Sequence, residues 1–190
     1  MGLNMYLSKK TYVKNWKHNP PEDKISITVK RGGKKHPTID PSKITYIQEE
    51  VGYWRKANQI HNWFVQNVQD GIDECQEAYV DPEKLRELYQ VCLSIRENCK
   101  LEKGKVQNGY TFNEAGEKEY EYADGEVMTN PEFAEEILPT GAGFFFGSTG
   151  YDQWYMQDIN NTIEMLEEEL KKIDEPFKGC HAEYYYRSSW

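Results

Sequence analysis

The chain has 190 residues and a mass of 22.4 kDa, enough to bury one good core, and it reads as a single domain over residues 1–190. Its formal charge of −9 and pI near 5.1 argue against general nucleic-acid binding, which rests on many Lys and Arg contacts to phosphates. With 38% hydrophobic residues, 14 Tyr and 5 Trp, it is a folding sequence whose burial rests on large amphipathic rings.

The average charge hides an asymmetry. Residues 1–40 carry nine Lys and Arg against three acids, a net +6, whereas residues 114–136 carry nine acids against Lys118, a net −8. Such a surface steers a charged partner or keeps the protein soluble. Cys75, Cys92, Cys99 and Cys180 have neither C-x-x-C spacing nor a matching His pair, so no zinc site, redox motif or cofactor is implied. Reduced thiols fit a cytoplasm. No segment approaches the ~20 apolar residues that span a bilayer, and the N-terminus lacks the pattern of a secretory signal.

In chain order, Met5 to Val13 and Ile25 to Lys30 alternate as short strands, separated by the turn-rich Asn19 to Asp23. The period then changes from two to about 3.6, which predicts a long helix from near Gln48 to Gln69-Asp70-Gly71. Tyr53, Ala57, Ile60, Phe64 and Val68 would face the core; Trp54, Asn58, His61 and Val65 would lie at its border. A strand over Glu77 to Val80 precedes a helix capped by Asp81 with Pro82 at its first position, burying Leu85, Leu88, Cys92, Ile95 and Cys99.

Residues 101–128 read as an inserted acidic hairpin, with strands around Val106 to Phe112 and Glu119 to Tyr122 joined through Asn113 to Gly116. Pro131 to Leu138 predicts a short helix capped by Asn130, and Phe144 to Phe146 a hydrophobic strand. Thr149-x-x-Asp152 resembles a capping box for a last helix. Its seam of Met156, Ile159, Ile163, Leu166, Leu170 and Ile173 would pack on the first helix and would also suit a homodimer. Ala182 to Ser188 alternates as a closing strand, and no internal repeat is present. These elements predict an α+β fold: a small, mostly antiparallel sheet packed against two or three long helices, with the hairpin inserted.

Two strings combine residue types that suit an anion. In the first, Arg55 and Lys56 supply charge, Asn58 and His61 directional hydrogen bonds, and Trp54 and Trp63 faces for stacking a base. In the second, Ser148, Thr149 and Tyr151 lie in a glycine loop at the start of a helix, where free amides favour phosphate. The pattern G-x-x-x-x-G-K-[ST] is missing, so this is no P-loop. Arg187, in a tyrosine-rich tail, could meet an anion as well. The structural alternative for each is burial: His61 and Asn58 satisfied by backbone, Ser148 and Thr149 merely capping, the tail packed in the core. No catalytic signature is complete, so the chain reads as a binding protein rather than an enzyme.

The opening Met1-Gly2-Leu3-Asn4-Met5-Tyr6-Leu7, the run Tyr53-Trp54-Arg55-Lys56-Ala57-Asn58-Gln59-Ile60-His61-Asn62-Trp63-Phe64, the block Gly143 to Asp152 and the ending Ser188-Ser189-Trp190 resemble a family of small uncharacterised bacteriophage and prophage proteins. The resemblance covers most of the chain except residues 101–128. It implies a context, the bacterial host cytoplasm, and no established chemistry. The expected function is binding of an anionic, nucleotide-derived small molecule, sequestering a host defence signal. The alternatives are an acidic inhibitor of a host protein and a nucleotide hydrolase or transferase.

Overall fold

A computed structural model describes residues 2–175 and 181–190; Cys180 lies outside them. The fold is α+β. Strand β1 (Asn4–Tyr12) alternates Met5 and Leu7 inward with Tyr6, Ser8 and Lys10 outward. It is the centre of a four-stranded sheet in the order β4-β1-β8-β5, formed with β4 (Tyr46–Arg55), β8 (Ala182–Ser189) and β5 (Ala78–Val80), every pair antiparallel. The tiny strands β2 (Lys30–Arg31) and β3 (Lys34–Lys35) form a separate ribbon, so the strand expected over Ile25 to Lys30 shrinks to its last residue. Ile25, Ile27 and Val29 are half-buried outside any strand.

The inward face, Met5, Leu7, Trp54, Tyr184 and Tyr186, packs under the helices α1 (Asn58–Val68), α2 (Pro82–Asn98) and α4 (Gln153–Asp174). At Gly52 an added Cβ would collide with Met165 Sδ of α4, so the bare glycine lets helix and sheet approach. The apolar seam of α4 packs chiefly on α2, not on α1. Met156, Ile159, Ile163, Leu166 and Leu170 are buried there, so the seam is consumed within the chain and offers no dimer face.

Residues 48–55, expected to open a helix, belong to the edge strand β4. The pairing with β1 overrides the helix propensity of Gln48, Glu49 and Glu50. Tyr53 consequently points out of the core, 46% exposed, and helix α1 starts only at Asn58. Helix α2 follows the sequence closely: Asp81 accepts from Glu83 N, and Leu85, Leu88, Cys92, Ile95 and Cys99 are buried. The hairpin of β6 (Leu101–Phe112) and β7 (Lys118–Met128) is longer than expected. Helix α3 (Pro131–Ile137) has Asn130 at its N-cap position, but the Asn130 side chain makes no capping bond. Phe144 to Phe146 form a turn instead of a strand, with glycines on both sides. No helix among the described residues is long and apolar enough to cross a membrane.

Candidate functional site

The end of β4, the first turn of α1, the Gly147 to Asp152 loop and the first turns of α4 enclose a cleft of about 630 Å³. Its shape rests on Asn58. This buried amide donates to Phe146 O at 3.1 Å and Ser148 O at 2.7 Å, and accepts from Gly141 N at 3.0 Å. Three backbone groups of one loop are thereby held by one side chain. The loop is braced again where Thr140 Oγ1 donates to Thr149 O at 3.2 Å and Thr140 N to the Tyr151 hydroxyl at 3.3 Å.

Lys56 stands between strand and helix in the left-handed region, φ 62, which costs a non-glycine residue energy. Its amide donates to Leu3 O at 2.9 Å, so a bond to the residue just before β1 maintains the strained turn. Against it, a Cβ added at Gly147 (φ 90) would lie 3.2 Å from Lys56 Cβ. The cleft's other wall is a polar stripe on α4: Trp154, Gln157, Asp158 and Asn161 repeat at i, i+3, i+4 and i+7. Asp152 caps that helix, accepting from Trp154 N at 2.9 Å and Tyr155 N at 3.3 Å. The helix N-cap is therefore Asp152 and not Thr149, and Ser148 and Thr149 do not present the helix amides.

Asp158 is the unusual group of the cleft. Burial, reinforced by the charge of Asp152, pushes its carboxyl up to about 6. Gln59 Nε2 donates to its Oδ2 at 3.1 Å, and no cation is among the groups that shift it. A carboxyl in this range exchanges protons near neutral pH and accepts hydrogen bonds once ionised.

Of the residues that the sequence singled out, Trp54, Arg55, Lys56 and Ser148 line the cleft, and Asn58 builds it without lining it. Trp54 is 3% exposed, its Nε1 donating to Thr162 Oγ1 at 2.8 Å, so its ring belongs to the core and cannot stack a ligand. Tyr151 braces the loop, and Thr149 is exposed beyond the lining.

His61, Trp63 and Arg187 are placed elsewhere. The His61 ring is 2% exposed: Nε2–H donates to Asp73 Oδ2 at 3.0 Å, and the Tyr186 hydroxyl donates to Nδ1 at 2.7 Å. This tautomer is the one in which the carboxylate acts as acceptor at one nitrogen and the phenol as donor at the other. Trp190 Nε1 completes the chain by donating to Asp73 Oδ1 at 3.2 Å. Burial keeps the Tyr186 phenol protonated, raised well above its usual value. Trp63 is a core ring set edge-on to Phe64 at 5.3 Å. Arg187 lies on the outward face of the sheet over Tyr6, 5.8 Å from its centroid.

Gln59, Thr140, Trp154, Gln157, Asp158 and Asn161 also line the cleft, and no residue string singles them out. The α4 stripe had a usable signal, since its polar residues repeat with helical spacing opposite the apolar seam. Among the described residues no group of three or more His, Cys, Asp or Glu is arranged to hold a metal ion. No protein-family model matches the sequence, and no curated protein or solved structure matches it either.

Proposed function

We propose that the cleft binds an anionic, nucleotide-derived small molecule. The observation that carries this reading is convergence: two strings far apart in the sequence, Tyr53 to Lys56 and Gly147 to Asp152, meet across one cleft with the polar stripe of α4. Arg55 and Lys56 are exposed at it and neutralise phosphate, while the half-exposed rings of Trp154 (57%) and Tyr53 (46%) offer faces to a base. Gln59, Gln157, Asn161 and Ser148 supply directional hydrogen bonds. The resemblance to phage and prophage proteins goes with sequestration of a host defence signal in the bacterial cytoplasm.

A thermal-shift screen against nucleotides and cyclic dinucleotides tests the reading, because a ligand held by the folded state raises the melting temperature by mass action. Stabilisation by at least one of them, lost in Arg55→Ala/Lys56→Ala, is the expected result; no stabilisation by any would end the proposal.

A second reading, hydrolysis or transfer on the bound nucleotide, is favoured by Asp158 alone. A carboxyl raised to about 6 inside a cleft is suited to general acid or base work. His61 is not available for that role, being closed into its own network away from the cleft lining. Turnover abolished in Asp158→Asn with ligand binding retained would establish this reading over sequestration.

A further inference from the structure

The cleft is bipolar, and its two ends do not neutralise each other. Arg55 and Lys56 are exposed where β4 passes into α1, whereas Asp152 and Asp158 stand on the α4 side. Asp152 is committed to capping α4 through Trp154 N and Tyr155 N. Asp158 has no such duty, and no cation is among the groups that shift it.

Asp158 and Gln59 together form an edge of acceptors. Gln59 is 2% exposed, and its Nε2 donates to Asp158 Oδ2 at 3.1 Å. An ionised carboxylate only accepts, so this bond turns the amide nitrogen of Gln59 toward Asp158 and leaves the amide oxygen over. Among the described residues neither Gln59 Oε1 nor Asp158 Oδ1 accepts a hydrogen bond, and neither is sealed inside the protein as an orphan. Both residues line the cleft, so the open acceptors call for donors from a ligand. Trp154 lies four residues before Asp158 on the same face of α4, a separation of about 6 Å between Cβ atoms, with its ring 57% exposed.

We infer that the cleft selects guanine, Asp158 accepting from N1–H and the 2-amino group of a base stacked on Trp154. This rests on the nucleotide reading of the cleft and narrows it. Guanine presents two adjacent donors on its pairing edge, which suits a carboxylate whose roughly four lone-pair sites have given one to Gln59. Adenine and cytosine place an acceptor beside their donor, and uracil flanks its single donor with acceptors. Each of these would set an acceptor against Asp158 with no hydrogen between them, which costs more than a missing bond. The opposite end of a guanine nucleotide carries the phosphates that Arg55 and Lys56 neutralise. A carboxylate engaged with the base is not free for acid or base work, so this inference and the hydrolase or transferase reading exclude each other.

Isothermal titration calorimetry of the full chain with GTP, ITP, XTP and ATP, at about pH 7.5 where Asp158 is ionised, is the test. The wild type should bind GTP about tenfold or more tightly than ATP. ITP, which keeps N1–H and lacks the amino group, should fall between them. Asp158→Asn exchanges one acceptor for a donor, so it should lose about tenfold or more for GTP and gain for XTP, whose base has a carbonyl in place of the amino group. The gain for XTP also reports that the variant is folded. Retained GTP affinity in Asp158→Asn would overturn the inference, and so would a folded variant with no gain for XTP. Equal binding of all four by the wild type would strike guanine selection and leave the nucleotide reading in place; binding of none would strike both.

Discussion

Two polar clusters touch helix α1, and they differ in whether their hydrogen bonds are complete. The chain from Trp190 through Asp73 and His61 to Tyr186 is closed: both imidazole nitrogens and both Asp73 oxygens have partners within the protein. The cleft is open. Its Asp158 has one amide partner from Gln59 and a desolvated carboxyl, and its cations are exposed. The histidine, chemically the more suggestive residue, is therefore a fastening, while an aspartate in a helical stripe is the one whose carboxyl is left without a charged partner. Satisfaction of a polar group, more than its type, separates architecture from site.

The largest effect that tests this contrast is on the closed cluster. His61→Ala should cost about 3 to 4 kcal/mol in urea denaturation, since it leaves the Tyr186 hydroxyl and the Oδ2 of Asp73 unpartnered and opens a void. Ligand affinity of the folded protein should hardly change; a small stability loss with lost binding would reverse the assignment. Asn58→Ala should follow at about 2 to 3 kcal/mol, because it orphans Gly141 N, Phe146 O and Ser148 O. It should also weaken ligand binding, since the loop it holds is a wall of the cleft.

Asp158→Asn should move stability the other way. Burial raises this carboxyl from the usual 3.8 to about 6, so the folded chain binds the proton more tightly than the unfolded chain. That contribution is fully present below about pH 4 and is lost as the pH rises through 6, where the charged form is left buried. The variant should thus gain about 1 to 3 kcal/mol over wild type at pH 7.5. Near pH 4 the two should be closely matched, and a constant difference across the range would mean that the carboxyl is not perturbed. The smallest stability effects belong to the cleft's exposed groups. Trp154→Ala should stay within about 0.5 kcal/mol, and Lys56→Gly should be neutral to slightly stabilising because it relieves the left-handed turn. Both should lose about tenfold or more in ligand affinity.

Much of this architecture was legible from patterning alone. The Asp81-Pro82 start of α2, its apolar stripe, the hairpin and the closing strand all combine a period with a local punctuation mark, and each formed close to where it was read. Residues 48–55 carry a helical pattern for a physical reason. A bulge between Leu7 and Ser8 in the β1 pairing breaks the alternation of β4, while Tyr53, Ala57 and Ile60 fall by chance on helical spacing. Only the long-range partner strand decides the conformation. The Gly147 to Asp152 loop was recognised as half of a site, but its capping logic was misassigned because Asp152 supplies the N-cap. His61 and Trp63 attracted attention by type, whereas their burial depends on Asp73, Tyr186 and Phe64, which local sequence does not bring together.

The most direct measurement of the central claim is a heteronuclear NMR titration of the best ligand from the thermal-shift screen, read at the indole N–H signals. A ligand in the cleft should shift Trp154 and, more weakly, Trp54, together with the backbone amides of Lys56 and Ser148. Trp63 and Trp190, packed in the core and bound to Asp73, should stay in place. Shifts centred on Trp190, His61 or Arg187 with Trp154 unmoved would contradict the account.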